Sequence, residues 1–171
     1  MRRRKHNRLT CIFWVILSTS FLAQNLQAEE ECLKDAWRTF NSAKYDSAIF
    51  FADKCIDEFG KAAQREQARL DSLRVPLPPT QKVSDVEKNR IFNRGLLNDV
   101  ATAYYIKGRS AEYLYRRGGP RSSEYRQMAI DAYNGACQLK HGRTWDPKGW
   151  FWSPCEVASD RLSSTVDVKK R

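Results

Sequence analysis

ATAYYIKGRSAEYLYRRGGPRSSEYRQMAIDAYNGACQL, residues 101–139, is the stretch whose reading decides the fold. Two apolar-periodic runs meet at Gly118-Gly119-Pro120, a combination that stops a helix, so the segment predicts two helices folded back on each other. In the second run Ala129, Tyr133 and Ala136 recur at helical spacing. Small residues on that face let a neighbouring backbone come close, and Tyr133 fills the space beside it. An earlier stretch repeats the character with Ala36, Ala48, Ala52 and Cys55.

Upstream, a first helix is expected from about Glu30 to Ala43, with Glu29, Glu30 and Glu31 at its positive end and Leu33, Ala36, Trp37 and Phe40 on its apolar face. A turn over Asn41 to Lys44 leads to a second helix whose apolar side carries Ala48, Phe51, Ala52, Cys55, Ile56 and Phe59. That helix is expected to continue through Gly60 toward Leu73, with Gln64 to Arg69 projecting partly into solvent. Val75-Pro76-Leu77-Pro78-Pro79 is a connector, because proline removes a donor and holds its predecessor extended. Ser84-x-x-Glu87 is a capping box, and the stripe Phe92, Leu96, Val100, Tyr104, Ala111 and Leu114 runs on to about Arg117. Unbroken, that helix would be about 50 Å long, so a bend is expected at Gly95 or Gly108.

Downstream, Ser122 or Ser123 is expected to cap a helix ending near Lys140. Next comes a loop holding Trp145, Trp150, Phe151 and Trp152, with Asp146-Pro147-Lys148-Gly149 suited to a type I turn. Ser153-Pro154-Cys155-Glu156 is a second capping box with proline at the first helical position, and it opens a last helix to about Leu162. Residues 165–171 read as a basic tail.

The spacing from Ala36 to Ala48, the turn Ala43-Lys44-Tyr45, and Cys55 in a small-residue position resemble the tetratricopeptide repeat. There are departures. Cys32 stands at the family's early tryptophan position, no proline follows Phe59, and Ala48 and Ala129 lie 81 residues apart, whereas tandem repeats recur at about 34. Gly95 to Thr102 and Arg143 to Pro154 also resemble small exported bacterial repeat proteins of no established activity. These resemblances imply an all-α domain over residues 29–164, with about five helices in antiparallel hairpins. They imply a scaffold, not an enzyme, that takes an extended segment or a helix of another envelope protein between its hairpins. Asn98, Tyr105 and Arg109 lie off the main apolar stripe and are expected to border that groove.

The amino terminus reads as an export signal. Arg2, Arg3, Arg4, Lys5 and Arg8 precede the apolar run Leu9 to Ala23, and Ala28 offers a small residue for cleavage, giving a signal over 1–28 and a periplasmic or secreted product. Leu26 weakens that site. The rival is an uncleaved inner-membrane anchor, against which stands a run of 15 residues, short of the roughly 20 a spanning helix needs. Removing 1–28 takes away five basic and no acidic residues, so the formal charge falls from +10 to +5. The remaining basic residues are scattered among acids, which argues against nucleic acid as a partner.

Little in the sequence points to catalysis. After the signal only His141 remains, so a histidine-based triad would depend on it, and no set of histidines is present for zinc. No Cys-x-x-Cys or phosphate-cradling glycine loop appears, Asp57-Glu58 reads as a solvated helix face, and no cofactor is expected. The loop 145–152 supports a second reading, a glycan-binding or glycan-hydrolase-associated envelope protein, because indole faces stack on sugar rings. Trp145 and Phe151 are expected to plug the helical core, and Trp150 or Trp152 to stay partly exposed for a partner. Four cysteines remain after the signal. Hairpin geometry suggests two local bridges, Cys32 with Cys55 and Cys137 with Cys155, against the alternative of four buried thiols.

Overall fold

The interlock of small and aromatic residues becomes helix-on-helix packing along the chain. The structure, a computed structural model, describes residues 33–167. In order these form α1 (33–41), α2 (Tyr45–Ser72), α3 (Asp85–Phe92), α4 (Gly95–Arg117), α5 (Ser122–Gln138), β1 (Thr144–Asp146), β2 (Trp150–Trp152) and α6 (Pro154–Asp167). The stretch expected to be an export signal, the expected cleavage point, Cys32 and the end of the expected basic tail lie outside the described residues. No described helix is long and apolar enough to cross a membrane.

The chain is mostly helical, with six helices among the described residues. α4 is the central element: α2 packs on one side of it and α5 on the other, while α6 lies against α5 and α4. Two apolar clusters result. The first joins Ala36 of α1, Ala48, Ala52, Phe59 and Ala63 of α2, and Leu97, Val100, Ala101 and Ile106 of α4. The second joins Ala111 of α4, Ala129, Tyr133 and Ala136 of α5, and Ala158 of α6.

Two glycines make the α4–α5 contact possible. A Cβ on Gly108 would lie 2.6 Å from the Tyr133 ring, and a Cβ on Gly135 would lie 2.6 Å from the Tyr104 ring. Each helix therefore receives a tyrosine from the other over a position with no side chain. α4 runs without interruption through Gly108. The helix is interrupted at Asn93-Arg94, immediately before Gly95, one of the two positions expected to bend it, and this separates α3 from α4.

The Gln64 to Arg69 extension of α2 projects partly into solvent, with Gln64, Arg65, Ala68 and Arg69 exposed and Gln67 5% exposed because the chain leaving α5 packs over it. Other expectations are corrected. Ser122 does not cap α5; its hydroxyl donates to the Tyr115 carbonyl at 3.1 Å and ties the helix start back to α4. Both serines cap, with Ser84 Oγ accepting from Glu87 N–H at 3.3 Å and Ser153 Oγ from Glu156 N–H at 3.2 Å, which is the serine half of each expected capping box. α6 runs on to Asp167, past the expected end at Leu162.

The tryptophan-rich loop is a short antiparallel hairpin, the one β element among the described residues. Aromatic and β-branched residues on both sides of a turn favour pairing over an open loop. Asp146 O accepts from Gly149 N–H at 2.9 Å, Asp146 Oδ1 accepts from Lys148 N–H at 2.8 Å, and Gly149 takes φ +94°, so the turn chemistry drives closure. The proline connector returns to this hairpin, where Gln81 exchanges two backbone hydrogen bonds with Phe151.

Candidate functional site

One face of α4 carries Tyr105, Arg109 and Tyr113 at four-residue spacing, so their side chains lie in line. Each joins a neighbour from another part of the chain. Trp152 of β2 meets Tyr105 edge to face at 5.0 Å between ring centroids. Arg109 donates to Tyr113 OH at 2.9 Å, with its guanidinium 4.7 Å from that ring centroid. Tyr113 stacks on Tyr45, at the start of α2, at 4.7 Å and 8° between planes, and Phe40 of α1 closes the group at 6.0 Å. Arg117 extends the row, its guanidinium 5.0 Å from the Tyr45 ring centroid. From Tyr105 to Arg117 the strip runs about 18 Å along the helix at 1.5 Å per residue.

Beneath the strip lies Glu112, 1% exposed. Its carboxylate accepts from Tyr133 OH at 2.6 Å, from Arg109 at 2.8 Å and from Arg116 at 2.8 Å, with Arg161 of α6 at 3.8 Å. Burial alone would raise this carboxyl. The Tyr133 hydrogen bond and the Arg109 and Arg116 charges outweigh it and hold Glu112 below its ordinary value. Tyr133 moves the opposite way, pushed well up by burial and by its bond to the carboxylate. The charged Glu112 thus fixes Arg109 in place, and Arg109 in turn orients Tyr113.

Of the expected partner-binding residues, the structure brings Tyr105, Arg109 and Trp152 together and leaves two elsewhere. Asn98 is 7% exposed and serves the fold: its Nδ2 donates to Ile91 O at 2.7 Å, across the α3–α4 break, and its Oδ1 accepts from Arg143 N–H at 2.9 Å. A polar residue one turn into α4 is drawn inward because those two backbone groups need partners. Trp150 sits half-buried at the tip of the hairpin, opposite Asp146. On the other face Phe151 is 1% exposed, while Trp145 is only half-buried, packing on Phe92 and Phe151 with the Lys88 ammonium 4.3 Å from its ring centroid.

His141, the residue on which a triad would depend, is 2% exposed, with both ring nitrogens engaged. Nδ1 meets Gln67 Nε2 at 2.9 Å and Nε2 meets Val75 O at 2.9 Å, so the ring clamps the chain after α5 to the end of α2. Asp57 and Glu58 line a shallow depression on α2 with Phe50, Asp53 and Lys54, on a single helix. No cluster of three or more metal-binding side chains occurs among the described residues. Cys55 is disulfide-bonded, and neither other described cysteine is its partner; Cys32, the expected partner, lies outside the described residues. Cys137 and Cys155 are free thiols side by side rather than the expected bridge: the Cys137 Sγ is directed at the Cys155 carbonyl oxygen, 3.1 Å away.

The residues that complete the strip, Phe40, Tyr45, Glu112, Tyr113, Arg116 and Arg117, escape the sequence reading. The spacing Arg109-x-x-Glu112-x-x-x-Arg116 is a legible signal for an ion-pair hub, whereas the stacking of Tyr45 on Tyr113 joins positions 68 residues apart and leaves no local trace. The chain matches no family model, no curated protein and no solved structure.

Proposed function

We propose that the protein is an exported interaction module built on the plan of a divergent tetratricopeptide repeat, and that it binds an extended acidic segment of an envelope protein along α4. It acts without catalysis or cofactor, and cleavage after Ala28 releases it from the membrane. The observation that carries the reading is the strip Trp152–Tyr105–Arg109–Tyr113–Tyr45, edged by Arg116 and Arg117, which offers aromatic planes and guanidinium groups in one line. Aromatic and arginine side chains supply most of the affinity of protein interfaces, and stacked guanidiniums suit carboxylates.

The test uses a fluorescein-labelled extended acidic peptide carrying aromatic residues, with a lysine-for-glutamate counterpart as control. Anisotropy should report binding of the acidic peptide only, weakened by salt. Tyr113→Ala and Arg117→Glu should each lower affinity by roughly ten-fold, about 1.4 kcal/mol. Equal affinity for both peptides would refute the reading. Co-sedimentation with purified peptidoglycan that disappears in Trp152→Ala would establish the glycan reading in its place. Amino-terminal sequencing of the exported protein should begin at Glu29.

A further inference from the structure

Outside the strip, α5 and α6 bring two thiols together. Cys137 lies in the last turn of α5 and Cys155 in the first turn of α6, and both are partly exposed. The Cys137 S–H donates to the Cys155 carbonyl oxygen at 3.1 Å, so the two residues meet directly where α5 packs on α6. Their surroundings are opposite in sign. Cys155 sits at a helix amino terminus, where backbone N–H groups favour an anion, whereas Cys137 sits at a carboxyl terminus, where carbonyl groups disfavour one. The Arg143 guanidinium also acts on Cys155; it is 3% exposed and held by the carbonyls of Pro78, Lys140 and Gly142.

We propose that Cys137 and Cys155 form a redox-active pair in which Cys155 attacks an external disulfide and Cys137 resolves the mixed disulfide. The Cys155 thiolate displaces one thiolate from a disulfide R–S–S–R, giving Cys155–S–S–R. Cys137 then gives up its proton and attacks the Cys155 sulfur, releasing the second thiolate and closing Cys137–S–S–Cys155. Two electrons pass from the pair to the external disulfide, whose two halves leave as thiols. The pair thereby stores a reversible covalent link between α5 and α6, independent of the peptide-binding reading.

The assignment of roles follows from the charges. The adjacent Cys137 thiol brings the Cys155 thiol down to about 7, with help from Arg143 and against burial and the Glu156 carboxylate. The Cys137 thiol is pushed far up by its closeness to Cys155 and by burial, so it keeps its proton until Cys155 has reacted. Those three groups, on α5, on the segment before β1 and on α6, are the charged and titratable neighbours of Cys155.

The experiment uses the full, reduced chain without mutation. Limited iodoacetamide labelling from pH 5 to 9, followed by peptide mapping, should show Cys155 reacting at least about ten-fold faster than Cys137, with half its maximal rate near pH 7. In Cys137→Ser, oxidised glutathione should accumulate as a mixed disulfide on Cys155. The unmutated chain under the same treatment should pass to the 137–155 bridge without such accumulation. Equal alkylation of the two thiols, or faster alkylation of Cys137, would overturn the proposal, as would an unmutated chain that retains both thiols in oxidised glutathione.

Discussion

Replacing Glu112 with glutamine removes one charge and almost no volume, so it isolates the electrostatics of the hub beneath α4. The amide keeps one acceptor for the carboxylate's three short contacts, from Tyr133, Arg109 and Arg116, and turns an NH2 toward donors. Removing the charged member of a buried pair costs about 3–5 kcal/mol. Arg116 is half exposed and recovers water, which places the loss near the lower end, at about 3 kcal/mol. At roughly 3 °C per kcal/mol for a chain of this size, thermal unfolding near neutral pH should shift down by about 9 °C. The pH dependence supplies an internal control. The folded-state carboxyl lies below its ordinary 4.5, so its contribution is complete above that value and is lost as pH falls through the folded value. The gap between the native chain and Glu112→Gln, read by circular dichroism, should therefore be constant near neutrality and narrow below pH 4.5. A neutral-pH gap under about 1 kcal/mol, or one that stays constant into acid, would refute the role given to the charge.

Gly108→Ala sets a methyl 2.6 Å from the fully buried Tyr133 ring and should cost about 1–2 kcal/mol net of its helix-propensity gain, while Gly135→Ala meets the partly exposed Tyr104 ring and should cost measurably less in urea unfolding. Phe151→Ala should lose about 3–5 kcal/mol, and Trp152→Ala, half-exposed, should lose under half as much in the same assay. Closing Cys137 to Cys155 should stabilise the chain by about 3 kcal/mol, seen as a higher denaturation midpoint for the bridged form than for Cys137→Ser.

The helices were legible because their signals are local. Ser84 and Ser153 cap where the motifs stand, Gly118-Gly119-Pro120 separates α4 from α5, and the break before Gly95 falls at one of the two glycines expected to bend the helix. The hairpin 144–152 was half legible. Its turn was plain in Asp146-Pro147-Lys148-Gly149, but strands of three residues are too short to declare themselves by alternation. Asn98 was misplaced as a groove residue for a related reason: sequence shows that it is polar and off the apolar stripe, not that Ile91 O and Arg143 N–H lie within its reach.

The sequence by itself determined the helical class, the main boundaries and the small-residue faces, since periodicity, capping and turn chemistry act within a few residues of chain. Tertiary structure alone decided which side chains those faces bring together. Tyr45 reaches Tyr113, Gln67 holds His141, Arg143 caps Pro78 O, and Cys137 meets Cys155 only after four helices have packed around α4. The partners that packing assembles then set the chemistry: Glu112 keeps its charge against burial because Tyr133 and two arginines surround it, a fact that its position between Arg109 and Arg116 suggests and only the closed core completes.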